Sequence, residues 1–356
     1  MQLCMRLVCR ASARLICTLS IDFVHPDKSL FISQPYELPM RLHLKPCFPA
    51  ALWYDGGMDA SRGELRLCTR LGLDAEGAAD LLRAMREGRS SRSAVVLTPK
   101  APQDYVPPFS CVPREEMPWL PPRVFVPAEG AEKPTSHPDY KAGLYYALDL
   151  SSCWESAALA EIEPPARSLD MCAAPGGKSM LMAARFLPAD HTANEVNAAR
   201  RGILRQNMEQ CGVPNVTVTG LRPDQWAASG EQFDLLLVDA PCSGQSLLCK
   251  GIKNPGCLGA SMVNGNAKRQ KGIMLAAVSC VRAGGHILYS TCTYDPDENE
   301  KVMGYILKRV PGWRAVEVPS LAPFRSALAD FPCYRLLPAH GCGAGGFCCL
   351  LQRLPE

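Results

Sequence analysis

The stretch that most constrains this chain is Leu169-Asp170-Met171-Cys172-Ala173-Ala174-Pro175-Gly176-Gly177-Lys178-Ser179. A short apolar run at 168–171 reads as a buried strand, the adjacent glycines as a turn, and 179–186 as a helix. Strand, glycine turn and helix in that order are how an open α/β sheet places a ligand at the carboxyl end of a strand. The glycines let the backbone approach the ligand, and the helix N-terminus offers unpaired N–H groups.

Two phosphate-binding loops are excluded. A Walker A loop requires glycine where Cys172 stands, ahead of Gly177-Lys178-Ser179. The G-x-G-x-x-G pattern fails because Pro175 precedes two adjacent glycines. The loop therefore has the shape of a cofactor turn without a phosphate signature, which points to a nucleoside cofactor lacking a pyrophosphate. S-adenosylmethionine (SAM) is the candidate. Glu195 closes the next candidate strand, 190–195, about 20 residues past the glycines, where a carboxylate can bind ribose hydroxyls. Taken alone, the loop also fits a generic β-turn-α unit.

Two further apolar runs each end in a cysteine. The first, 233–244, finishes in Asp239-Ala240-Pro241-Cys242; the second, 284–294, contains Thr291-Cys292-Thr293. The three motifs in this order resemble the Sun-type (RsmB/RsmF-like) RNA cytosine-5 methyltransferases, from about residue 64 onward and most strongly from 137. The resemblance implies a Rossmann-like class I SAM methyltransferase fold: a mixed seven-stranded sheet with an antiparallel final strand, helices on both faces, and a small N-terminal α+β module. It also implies the chemistry. A thiolate adds to carbon 6 of cytosine so that carbon 5 can attack a methyl group, dividing a hard step into easier ones. In this reading Cys292 is the attacking thiolate, Cys242 assists product release, Asp239 bonds the base edge and Lys178 lies near cofactor and base. Cofactor contacts fall on Cys172, Ala173, Ala174, Pro175, Gly176, Gly177, Lys178, Glu195, Arg200 and Asp239. The implied substrate is RNA, ribosomal ahead of transfer RNA. The alternative is a catalytically weak RNA-binding or ribosome-assembly factor on the same fold.

Composition fits this frame. At 356 residues, 47% apolar and 21% charged, the chain reads as a globular protein with one large and one smaller domain. The expected division is 1–62 as a variable extension, 63–134 as the accessory module and 135–356 as the catalytic domain. A net charge of +3 permits nucleic-acid binding without requiring it. The 18 cysteines include no C-x-x-C pair, which argues against a zinc ribbon. They read as small hydrophobes in a reduced, cytoplasmic protein. The expectation is a monomer without metal and without a membrane span.

Along the chain, Arg6, Arg10 and Arg14 precede the first acid, Asp22, faintly like an organellar transit segment; the plainer alternative is a variable extension. Helical periodicity over 64–87 ends at Gly88, and 93–97 is strand-like. The family's Arg-x-Asn-x-x-Lys pattern is reduced here to Lys100. Asp149, Ser151 and Ser152 match a family Asp/Glu-x-x-Ser pattern, with Leu148 where relatives carry Gln. Tyr145 and Tyr146 read as packing residues rather than a base-stacking platform. A helix over 195–212 carries Arg200, Arg201 and Arg205. Arg222 occupies the family's adenine-contacting Asp position, so either Asp224 substitutes or that contact is missing. An irregular stretch at 245–266, with Lys250 or Lys253 in place of a family basic residue, precedes a helix over 267–281 opened by Lys268, Arg269 and Lys271. Asp295-Pro296-Asp297-Glu298 reads as a helix start. A strand at 314–318 and a hairpin over 333–351 complete the chain, with Ala344-Gly345-Gly346-Phe347 where many relatives of the family have Asp-Gly-Phe-Phe.

Overall fold

The computed structural model describes residues 60–187 and 190–355. The transit-like arginines lie outside the described residues. The chain enters through α1 (Arg62–Leu71) and α2 (Ala75–Glu87). The single helix expected over 64–87 is two. Gly72 takes a left-handed φ of 67°, and the Asp74 side chain caps α2 by accepting the N–H of Gly77 at 2.9 Å.

A small antiparallel sheet follows, in the order β2 (Val124–Phe125), β1 (Ser93–Leu97), β3 (Tyr145–Asp149), with α3 (Pro138–Ala142) leading into β3. The expected domain division near 134 thus falls between two strands of one sheet. Ala94 and Val96 turn one face of β1 into the main core, and Val95 and Leu97 pack with Tyr145 on the other. Tyr145 is buried, and its hydroxyl donates to the Pro134 carbonyl at 2.8 Å, so it packs and cannot stack a base.

The large sheet contains β4 (Arg167–Asp170), β5 (Asp190–Asn194), β6 (Val216–Thr219), β7 (Phe233–Asp239), β8 (Val281–Thr291), β9 (Trp313–Ala315), β10 (Tyr334–Leu336) and β11 (Gly346–Arg353). Its order is β6-β5-β4-β7-β8-β11-β10, with β9 also on β11. The five strands from β6 to β8 are parallel, and β11 runs antiparallel to β8. The sheet has eight strands rather than the expected seven but is seven positions wide. β10 pairs with the start of β11 and β9 with its end, so the two share the outermost position.

Helices cover both faces. They are α4 (Leu150–Glu155), α5 (Gly177–Phe186), α6 (Ala198–Cys211), α7 (Pro223–Ser229), the single turn α8 (Ser246–Cys249), α9 (Ala260–Ser279) and α10 (Glu300–Arg309). The apolar run of β7 is buried on both sides, as expected of a central parallel strand. Leu235 and Leu237 face the core shared with α4, α5 and α6, whereas Leu236 and Val238 face the core shared with α7, α9 and α10. From β4 the chain winds outward through β5 and β6, then returns to β7 and β8 on the other side. The carboxyl ends of β4 and β7 therefore flank the topological switch point, where open α/β sheets bind ligands.

Two helix starts differ from expectation. α9 begins at Ala260, seven residues before the expected start. Val263, Ala267, Gln270 and Met274 form a buried stripe that outweighs the weak helix propensity of Gly265 and its neighbouring asparagines. The basic trio is therefore mid-helix. Residues 296–299 form a turn ahead of α10. Asp295 accepts the Asp297 N–H at 3.0 Å as an Asx cap, while the α-helix itself begins at Glu300.

Candidate active site

The glycine turn leaves β4 at Asp170, a buried carboxylate that accepts the Ser179 hydroxyl at 2.7 Å and the Cys172 N–H at 3.4 Å. Burial lifts its carboxyl to about 7. α6 pins the turn from the side. Arg200 donates to the Ala174 carbonyl at 2.5 Å, and Asn207 to the Pro175 carbonyl at 2.8 Å. Gly176 is required here: its φ is 120°, and an added Cβ would lie 2.7 Å from Cε of Met208. Glu195, just past β5, is buried. It accepts the Asn197 N–H at 2.8 Å and pairs with Arg200 at 3.0 Å.

The two motif cysteines meet because β7 and β8 are paired neighbours with Asp239 opposite Ser290. Cys242 and Cys292, a few residues beyond, bring their Sγ atoms to 3.3 Å. The loops carrying them are tied together. The Ser243 and Thr293 hydroxyls lie 2.7 Å apart, Ser246 N–H donates to the Cys292 carbonyl at 3.2 Å, and Glu298 accepts from Ser243 N–H at 2.8 Å and Gln270 Nε2 at 3.0 Å. Asn254 Nδ2 donates to the Ser243 and Gly244 carbonyls at 2.7 and 2.9 Å.

Lys178, in the first turn of α5, is buried between two carboxylates, with Nζ 2.6 Å from Glu155 Oε2 and 2.8 Å from Asp239 Oδ2. Burial pulls its pKa down, but the two carboxylates override this and hold it above the ordinary lysine value. Glu155 is pushed up to about 8 by burial, against the pull of Lys178. The thiols split. Cys292 is lowered, chiefly because Cys242 donates to it and with help from Lys178 and Lys250; burial and Asp239 oppose this. Cys242 is raised by the same hydrogen bond and by burial. Cys292 is thus the sulfur poised to ionise.

A cleft of about 1250 Å³ opens over the switch point. Of the predicted residues, Cys172, Ala174, Glu195, Arg200, Asp239, Cys242 and Cys292 line it. Ala173, Pro175, Gly177 and Lys178 line a smaller pocket of about 230 Å³ on the other side of the turn, which Cys172, Ala174 and Asp239 also border. Gly176 lines neither and packs on α6. Lys250 enters the smaller pocket and pairs with Asp149 at 3.5 Å. Asp224 does not line the cleft. Its carboxylate turns to Arg222 at 2.9 Å, both side chains are exposed, and only Pro223 between them reaches the cleft. Arg269 reaches the cleft, whereas Lys271 lies over the Tyr305 ring at 5.1 Å.

Three buried acids around the site escaped the sequence reading: Glu155, Asp170 and Glu298. Each carries a readable signal, an acid within or at the end of an otherwise apolar or capped segment. Glu155 is the plainest, standing in Trp154-Glu155-Ser156-Ala157-Ala158-Leu159 with no basic neighbour.

The strand order, the antiparallel β11 and the glycine turn at the switch point define a Rossmann-like class I SAM methyltransferase fold. Two solved structures from Pyrococcus horikoshii share it, each with a TM-score of 0.65 and 83% of this chain covered. They are a methyltransferase homolog protein, 22% identical and covered completely, and NSun6 with SFG, 16% identical and 99% covered. The family model for 16S rRNA methyltransferase RsmB/F matches residues 157–352. The chain belongs to this RsmB/F family. Its curated relatives include ribosomal RNA small subunit methyltransferase F of Klebsiella pneumoniae (strain 342), 36% identical over 195 residues, which are 54% of this chain and 40% of the relative. The same-named protein of Cronobacter sakazakii is 35% identical over 213 residues, 58% of this chain and 43% of the relative. The match thus spans about two fifths of these relatives. Among the described residues, no helix is long and apolar enough to cross a membrane.

Proposed function

We propose that this chain methylates carbon 5 of a cytosine in RNA, with SAM as methyl donor and ribosomal RNA as substrate. The names of its relatives support the ribosomal substrate. The observation that carries the chemistry is the thiol pair, 3.3 Å apart and opening into the same cleft as Glu195. A methyltransferase acting on oxygen or nitrogen has no use for two apposed cysteines at these strand ends.

The cleft fits SAM in its donor set. Glu195 offers a carboxylate with lone pairs left for ribose hydroxyls after its two internal contacts. Cys172 and Ala174 bring the turn against the ligand, and the turn itself carries no phosphate-loop pattern. When bound, SAM supplies an electrophilic methyl group on a sulfonium. The chain's own residues do the rest. Cys292, as thiolate, forms a bond to cytosine carbon 6, which makes carbon 5 nucleophilic. After methylation a base takes the carbon-5 proton, the ring electrons reform the 5,6 double bond, and the carbon–sulfur bond to Cys292 breaks. Cys242, whose Sγ lies 3.3 Å from that of Cys292, is placed beside that bond to assist its breakage. Asp239, hydrogen-bonded by the Ser290 hydroxyl at 3.3 Å, faces the base edge and steadies charge developing on the ring. The target base must leave its stack to reach this cleft.

The test uses labelled SAM with 16S rRNA or small subunits, followed by digestion and detection of 5-methylcytosine. Wild type labels the RNA, Cys292→Ala gives no label, and Cys242→Ala accumulates a stable protein–RNA adduct. Normal methylation by Cys292→Ala would refute the mechanism, and label in a base other than cytosine would refute the substrate.

A further inference from the structure

Behind the thiol pair lies a carboxylate that the proposed chemistry leaves without a role. Glu155 ends α4 and is 2% exposed. Its Oε2 meets the Lys178 ammonium at 2.6 Å, on the side away from the cleft, while Asp239 holds the same ammonium from the cleft side. Its Oε1 occupies the space over Gly346, the first residue of β11, where an added Cβ would collide with it. A glycine at 346 is therefore what makes room for this carboxylate, and two distant segments cooperate to place one charge. We propose that Glu155 is a positioning residue for the thiol pair: it anchors Lys178 from behind and sets the charge that Cys242 and Cys292 face.

The groups facing Glu155 are Lys178 from α5, Asp239 from β7, Cys292 beyond β8 and Cys348 from β11, with Cys153 on its own helix. Among them Lys178 is the single cation. Ionised Glu155 therefore adds negative charge near Cys292 and partly cancels the cation that favours its thiolate. Ionisation of Glu155 and ionisation of Cys292 oppose each other, which broadens the Cys292 titration toward high pH.

The inference rests on the reading of Cys292 as the attacking thiolate, but its test needs neither RNA nor SAM. The full chain is alkylated with limiting iodoacetamide from pH 6 to 10, and Cys292 modification is followed by peptide mass spectrometry. Glu155→Gln keeps the shape and a hydrogen-bond acceptor while removing the charge. The expected result is a steeper Cys292 profile with its midpoint about half a pH unit lower. A role confined to filling space leaves the profile where it was, because glutamine fills the same space; an unmoved or raised midpoint overturns the proposal. Should Glu155→Gln fail to fold, Glu155→Leu, which also removes the charge at similar volume, is read the same way. Wild-type protein that fails to methylate RNA would sink the proposed function and leave this result standing.

Discussion

Replacing Lys178 by methionine removes the ammonium between Glu155 and Asp239 and keeps a side chain of similar length. The two carboxylates respond differently. The Asp239 side chain is 39% exposed and re-solvates, whereas that of Glu155 is 3% exposed and cannot. Below pH 8 Glu155 holds a proton in either protein, because burial already lifts it to about 8 with Lys178 in place. There the variant loses one charge-assisted hydrogen bond at Glu155, about 1.5–3 kcal/mol. Both proteins lose stability from the unfolded glutamate pKa of about 4.3 upward, since a carboxyl raised in the folded state stabilises below its unfolded pKa and that contribution fades as pH rises. Wild type levels off above pH 8, where Glu155 ionises against Lys178. The variant, with its Glu155 pKa higher still, continues to fall at about 1.4 kcal/mol per pH unit. The difference between them therefore widens above pH 8, toward the roughly 3–5 kcal/mol typical of a buried pair that loses one partner. Urea unfolding at pH 6, 7.5 and 9 measures this, followed by tryptophan fluorescence, to which the buried Trp154 contributes. A deficit equal at all three pH values, or largest at pH 6, would refute the assignment of Glu155 as a carboxylate held by Lys178.

Two further substitutions probe the cofactor contact and the loops that carry the cysteines. Glu195→Ala should weaken SAM binding at least several-fold by calorimetry, and an unchanged affinity would remove Glu195 from the ribose contact. Glu298→Ala strips the acceptor from Ser243 N–H and the Gln270 amide. At about 1–3 kcal/mol for each of the two donors left unsatisfied, the expected loss in chemical denaturation is about 2–6 kcal/mol; a loss under about 1 kcal/mol would show that water replaces the carboxylate.

The sequence by itself determined what depends on neighbours along the chain. The strand before the glycine turn, the two strands ending in cysteine motifs and the left-handed cap at Gly212 are written in short apolar runs and punctuating residues. Their ends fall within a few residues of the expected positions. The loop at 170–179 excludes a phosphate site on composition alone. Element boundaries set by packing were less legible. α9 starts early because one face is buried, and the first helical pair breaks at Gly72 although its apolar spacing runs on. Only the tertiary structure decided which distant groups meet. The 50 positions between Cys242 and Cys292 say nothing of their contact; the pairing of β7 with β8 does. The sequence marks Glu155 as an acid in an apolar segment, but only the fold sets it against Lys178 and opposite Gly346. Local propensity acts over a few residues, whereas burial and charge pairing are properties of the packed sheet, where low dielectric makes the position of a single carboxylate decisive.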